Sequence, residues 1–91
     1  MKPSRPKEER EQDQINRGLA AERLISDDVV TAWFADEERR LIADMLTADL
    51  SDDGTRRDCA MQIRVVRNLK SYLQTEATFG RKQMEKAKAN G

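Results

Sequence analysis

One segment of the sequence has the outline of a calcium-binding loop. Asp49, Ser51 and Asp53 stand at loop positions one, three and five, and a glycine stands at position six, as helix–loop–helix calcium sites require. Position twelve of such a loop holds a bidentate acid, whereas Ala60 occupies it here. We therefore interpret the segment as a turn between two helices and predict no metal site.

Composition restricts the remaining catalytic chemistry. The 91 residues include no histidine and one cysteine, Cys59, so the chain cannot supply an imidazole base, a zinc tetrad or an internal disulfide. Cys59 falls beside Ile63 on an apolar helical face, which favours a buried, unreactive thiol. No carboxylate pair stands apart from the general acidity of residues 26–53. The sequence therefore predicts a protein that is not an enzyme and that uses no cofactor.

Five basic residues fall on one side of a predicted helix and form a candidate anion-binding face, the basic face. They are Arg56, Arg57, Arg64, Arg67 and Lys70. Such a face can bind phosphate in a salt-dependent way, but the long acidic turn before this helix does not fit a helix-turn-helix motif. Residues 26–55 hold nine acidic and two basic residues, and residues 56–91 hold three acidic and nine basic ones. We therefore expect this face to meet acidic surface within the hairpin or in a head-to-tail contact between subunits, with nucleic acid as the less favoured partner. The residues predicted to make acidic or phosphate contacts are Arg57, Arg64, Arg67 and Lys70.

The spacing of apolar residues predicts an all-α fold of three helices that would position these side chains. A short helix spans about 14–25, a second about 27–48 and a third about 55–79. The segment Ser26–Asp28 favours an N-cap for the second helix, and Thr55 favours one for the third. The second and third helices should form a long antiparallel hairpin, because a turn-forming segment joins them.

The two ends of the chain contain few large apolar residues. Residues 1–14 are charged and include two prolines, so we predict a flexible arm there. Residues 81–91 form a polar, basic tail that should be disordered or frayed. A single helical domain would then occupy residues 15–80. Gly18 lies inside the first helix and costs about 1 kcal/mol relative to alanine, which makes that helix dependent on packing.

The third helix carries more apolar surface than one neighbouring helix can cover. Its seam residues recur at positions 59, 66 and 73, and a second stripe lies beside them. That stripe consists of Met61, Val65, Tyr72 and Phe79. The adjacent Trp33 and Phe34 point about 100° apart, so that one can enter the core while its neighbour lies at the edge of the core or at a subunit interface. Because a core this small supplies about 3–5 kcal/mol at most, we predict a homo-oligomer in which the second stripe and Trp33 form the interface.

Several local features between residues 21 and 82 occur together in one known group of proteins. They are Ala21–Glu22 before Leu24–Ile25, the acidic turn at Asp52–Asp53, Arg57, the amphipathic stretch Ile63–Leu73, and Gly80 with Arg81–Lys82. With these features the chain resembles small helical proteins of tailed phages and prophages that are encoded among head and DNA-packaging genes. The resemblance implies a component of the phage particle or of DNA packaging, similar to the helical oligomerisation core of a small terminase subunit.

Three functions stay open at this point. The first is a non-enzymatic phage structural or packaging-associated protein that self-assembles through its amphipathic helices. The second is a small regulatory inhibitor that docks the acidic residues 26–55 on a nucleic-acid-binding host protein. The third is weak DNA binding through the basic face. Since the sequence has no apolar run long enough for a signal peptide or a membrane span, we expect a cytoplasmic location, or a virion, without membrane contact.

Overall fold

The computed structural model of the chain describes residues 7–90, and the side chains of residues 7–89. Three helices account for almost all of this range: α1 (Lys7–Ser26), α2 (Asp28–Thr47) and α3 (Asp53–Asn90). No strand occurs among the described residues. The predicted all-α fold is therefore confirmed.

The helix junctions are defined by aspartate caps. Asp27 separates α1 from α2 in an extended conformation, and its carboxylate accepts the backbone N–H groups of Val29 at 2.8 Å and Val30 at 3.1 Å. The N-cap predicted at Ser26–Asp28 is thus confirmed. The cap predicted for α3 at Thr55 is wrong: Asp52 is the cap, and it accepts the backbone N–H of Thr55 at 3.0 Å and its hydroxyl at 2.6 Å. A cap must stand just outside the helix and bond an N–H two or three residues ahead, and Asp52 has that spacing.

Two of the helices are longer than the sequence analysis predicts. Residues 7–14, expected to belong to a flexible arm, form the first turns of α1, and residues 81–90, expected to be disordered or frayed, continue α3. Both segments consist mainly of Lys, Glu, Gln, Arg, Ala and Met, which have high helix propensity. Two acidic residues in the first turn of α1 also stabilise that helix, because they interact favourably with its dipole. Residues 1–6 of the expected arm lie outside the described residues, as does Gly91.

The described chain divides into two compact units that share α3. The hairpin unit comprises residues 26–71, which are α2 and the first half of α3. The crossing unit comprises the described residues 7–25 and 72–90, which are α1 and the second half of α3. The sequence analysis predicts one helical domain over residues 15–80, whereas the packing groups the helices into these two units.

The hairpin unit is built around large apolar side chains. Leu41 of α2 is 1% exposed and packs against Cys59 and Ile63 of α3. Ile42, Met45 and Val66 are half-buried around these three residues. The prediction of a buried Cys59 thiol is confirmed. The two helix segments run in opposite directions, because Glu38 reaches Arg67 whereas Leu41, later in α2, packs against Ile63, earlier in α3. The predicted antiparallel hairpin is therefore present within this unit.

The crossing unit is built around glycine and alanine. Gly18 and Ala21 of α1 and Ala77 and Gly80 of α3 are buried, and Gly18 lies against Gly80. A Cβ atom added to Gly18 would lie 2.6 Å from the Cα atom of Gly80 and 2.9 Å from the carbonyl oxygen of Glu76. The two backbones therefore touch at a place where no side chain fits. Gly18, which local propensity alone penalises, is what permits this approach.

Candidate interaction surface

The hairpin unit leaves an apolar stripe of α3 uncovered. Met61, Val65 and Leu69 follow one another at four-residue intervals and so share one side of the helix. They are 61%, 66% and 46% exposed, respectively. The side of α3 that packs against α2 carries Cys59 and Ile63 instead. We call Met61, Val65 and Leu69 the α3 stripe; the first two are predicted interface residues, and Leu69 is a member that the prediction does not include.

The remaining predicted interface residues are also partly exposed. Tyr72 and Phe79, in the crossing unit, are seven residues apart on one side of α3, and both are about half exposed. In the hairpin unit, Trp33 is half exposed whereas Phe34 is buried. The two rings meet edge to face at a centroid distance of 5.3 Å. As their angular separation on the helix predicts, one ring of this pair is in the core and the other is available for contact.

A groove runs between α2 and α3 of the hairpin unit, with a volume of about 560 Å³. Ile42 and Met45 of α2 and Ala60 and Ile63 of α3 form its apolar walls, and Arg64, Arg67 and Asn68 complete its lining. Arg67 donates from Nε to Glu38 at 2.6 Å. Arg64 has no ion-pair or hydrogen-bond partner among residues 7–90. The groove therefore combines an apolar interior with one unpaired cation.

The five residues of the predicted basic face differ in their contacts. Arg56 folds back onto the turn before α3, where it donates to the carbonyl oxygens of Asp49 and Leu50, both at 2.7 Å, and pairs with Asp53 at 2.5 Å. Arg67 is held by Glu38. The other three members have no partner within the described part of the chain; they are Arg57, Arg64 and Lys70. Within residues 7–90, the members of this face that contact acidic side chains are therefore Arg56 and Arg67.

The turn between α2 and α3 exposes leucine beside acidic residues. Leu46 and Leu50 are 76% and 92% exposed. Asp52 is occupied by Thr55, whose hydroxyl and backbone N–H lower the pKa of that carboxyl, with a smaller contribution from the charge of Arg56. The carboxylate of Asp49 has no partner among the described residues. We call Leu46, Asp49 and Leu50 the acidic corner.

The acidic corner is absent from the predicted site residues, because the sequence of this segment indicates only a turn that partly resembles a calcium loop. A leucine within a run of turn-forming acidic residues is the sequence signal that could have identified it. In residues 7–90, no group of three cysteine or acidic side chains is arranged to hold a metal ion. None of the helices in the described range has a stretch of the length and hydropathy that a bilayer crossing requires.

Comparison with known proteins found no counterpart. No protein-family model, curated protein or solved structure matches the chain.

Proposed function

We propose that this protein is a non-enzymatic helical module that self-assembles through the α3 stripe. The observation that carries the proposal is the exposure of Met61, Val65 and Leu69, which lie on successive turns of one helix. Removal of apolar surface from water is worth about 25 cal/mol per Å². A helix that presents such a stripe gains this free energy when a second helix packs against it.

A second copy of the chain is a suitable partner for the stripe. In a two-fold symmetric dimer the same residues serve on both sides, so Val65 near the middle of one stripe meets the stripe of the other copy. Association also adds stability to a chain whose largest cluster of buried apolar residues consists of Leu41, Cys59 and Ile63. Trp33, Tyr72 and Phe79 are further candidates for contact between copies, since each is about half exposed.

The other two functions have weaker support from the contacts. Most acidic residues of α2 form ion pairs with arginines. Asp36 pairs with Arg39, and Glu37 and Asp44 pair with Arg40. Glu38 pairs with Arg67. An inhibitor that docks by its acidic surface would leave such charges available for its target. Direct DNA binding would rest on three unpaired cations of the basic face, which is a small electrostatic footprint.

The biological setting follows from the resemblance alone. We propose that the self-assembling module serves in a phage particle or in DNA packaging, within the host cytoplasm or the virion. Other phage or host proteins would then join the assembly.

Sedimentation velocity over a concentration series up to about 100 µM tests the self-assembly. The wild-type protein should be at least a dimer, and Val65→Glu should weaken association by a factor of about 100 or more, because it places a charge in an apolar contact. Since Val65 is 66% exposed, the variant should keep its helix content by circular dichroism. Ser71→Glu is the matched control, because Ser71 is exposed on another side of the same helix.

Two results would refute the proposal. One is a wild-type protein that stays monomeric at 100 µM. The other is an equal effect of Val65→Glu and Ser71→Glu on association, since that would mean that added charge, and not loss of the α3 stripe, causes the change.

A further inference from the structure

The acidic corner presents two leucine side chains that are exposed in the described part of the chain. Leu50 is 92% exposed and Leu46 is 76% exposed, although the same hairpin unit contains a groove with apolar walls. The exposure of Leu50 shows that the corner does not occupy the groove of its own copy. Leu46 lies in the last turn of α2, and Leu50 lies in a turn that bonds of Arg56 and Asp52 already order. Insertion of these leucines into a partner therefore costs little conformational entropy.

The groove has the complementary properties. Its walls include Ile42, Met45 and Ile63, which suit leucine side chains, and Arg64 stands in its lining without a partner among the described residues. The acidic corner carries the opposite charge in Asp49, whose carboxylate is equally unpaired within that range. Apolar fit and charge fit therefore point to the same pairing.

We infer that the groove of one copy receives the acidic corner of a second copy, with Leu46 and Leu50 against its apolar walls and Asp49 paired with Arg64. This inference rests on the proposed self-assembly and adds a second contact to it. The contact uses residues different from those of the α3 stripe. Because it joins two unlike patches, it can link stripe-mediated dimers into larger rings or chains.

Charge reversal across the contact tests the pairing. Arg64→Asp and Asp49→Arg should each weaken the association step beyond the dimer by about tenfold, as expected for loss and repulsion of one partly exposed ion pair. The double variant Arg64→Asp with Asp49→Arg should restore that step, because the pair is re-formed with its charges exchanged. Leu50→Asn should abolish the step. It should leave the thermal unfolding of the single copy unchanged, since Leu50 is almost fully exposed.

Matched controls separate the pairing from net charge. Lys82→Asp and Glu85→Arg make the same changes in charge at exposed α3 positions that have no ion pair within the described chain. They should leave the association step in place. Sedimentation velocity resolves monomer, dimer and larger species for each variant, and circular dichroism verifies that all of them are folded.

The outcomes distinguish this inference from the proposal beneath it. A wild-type monomer would refute both. A wild-type protein that stops at a stripe-dependent dimer, or larger species that persist in Leu50→Asn, would refute the inference alone and would mean that something other than the acidic corner occupies the groove. Loss of the step in both single variants without recovery in the double variant would also refute it.

Discussion

The helices of the two units pack through side chains of very different size, large in one unit and minimal in the other. In the hairpin unit, Leu41 fills the space between α2 and α3 and is 1% exposed. In the crossing unit, Gly18 and Gly80 leave no space at all between α1 and α3. The separation of two packed helices depends on the side chains at the contact. One unit should therefore be sensitive to removal of atoms and the other to their addition.

Removal of atoms from the hairpin unit is the largest expected effect. Leu41→Ala should lower the free energy of unfolding by about 3 kcal/mol, because it combines lost apolar burial with a cavity between Cys59 and Ile63. Chemical denaturation in dilute solution measures this change. Leu46→Ala makes the same substitution at an exposed position of the same helix and should cost less than about 0.5 kcal/mol. Equal losses in the two variants would contradict the assignment of the core.

Addition of one carbon to the crossing unit should have the next largest effect. Gly18→Ala should lower the free energy of unfolding by about 1–2 kcal/mol, although alanine favours a helix, because its Cβ would lie 2.6 Å from the backbone of Gly80. Gly54→Ala is the control: its Cβ meets only the side-chain oxygen of Asp52 at 3.7 Å, so it should be neutral or stabilising. A stabilising Gly18→Ala would show that the backbones do not touch.

One ion pair between helices in each unit offers a smaller comparison. Arg67 binds Glu38 through two nitrogens in the hairpin unit, and Arg81 binds Glu22 at 3.0 Å in the crossing unit. Double-mutant cycles with alanine should give coupling energies of about 0.2–1 kcal/mol for each pair, with the Glu38–Arg67 pair the stronger. Both couplings should decrease in high salt. A larger coupling for Glu22–Arg81 would reverse the ranking.

The smallest expected effect belongs to the hairpin unit and disappears at acidic pH. Bonds from Thr55 lower the pKa of Asp52 in the folded protein, so its ionised form contributes stability above the unfolded pKa of about 4 and loses that contribution as the pH falls through the folded value. Asp52→Asn keeps a good capping residue and removes the charge. The denaturation midpoints of wild type and variant should therefore differ at pH 7 and approach each other as the pH falls below the folded pKa of Asp52. A constant difference would contradict this role for the charge.

The sequence predicts what local chemistry decides. Asp27 is a recognisable cap, and the exposed side chains of Met61 and Val65 follow from the width of one helical face. The contact between Gly18 and Gly80 could not be predicted, because it joins positions far apart in the chain and reverses the local penalty on glycine. The hydrogen bonds of Arg56 could not be predicted for a related reason. A helical wheel gives the direction of its side chain, but its bonds depend on the course of the turn.

The groove could not be predicted from the sequence, because it depends on how α2 and α3 pack. Ile42 and Met45 lie in α2, and only the packed hairpin shows that they border open space beside Arg64. The full lengths of α1 and α3 do not follow from the positions of apolar residues, because their ends contain few of them. Charged residues with high helix propensity extend a helix whose neighbouring turns are already packed.

The sharing of α3 by two partners has a consequence for how the chain is made. Contacts of α2 with α3 close early, since Glu38 and Arg67 are 29 positions apart, whereas Glu22 and Arg81 are 59 apart. Each doubling of a loop adds about 0.6 kcal/mol to the entropy cost of closure. During translation α1 therefore leaves the ribosome before α2 and α3, and it packs in its unit only after residues 72–90 of α3 have been synthesised.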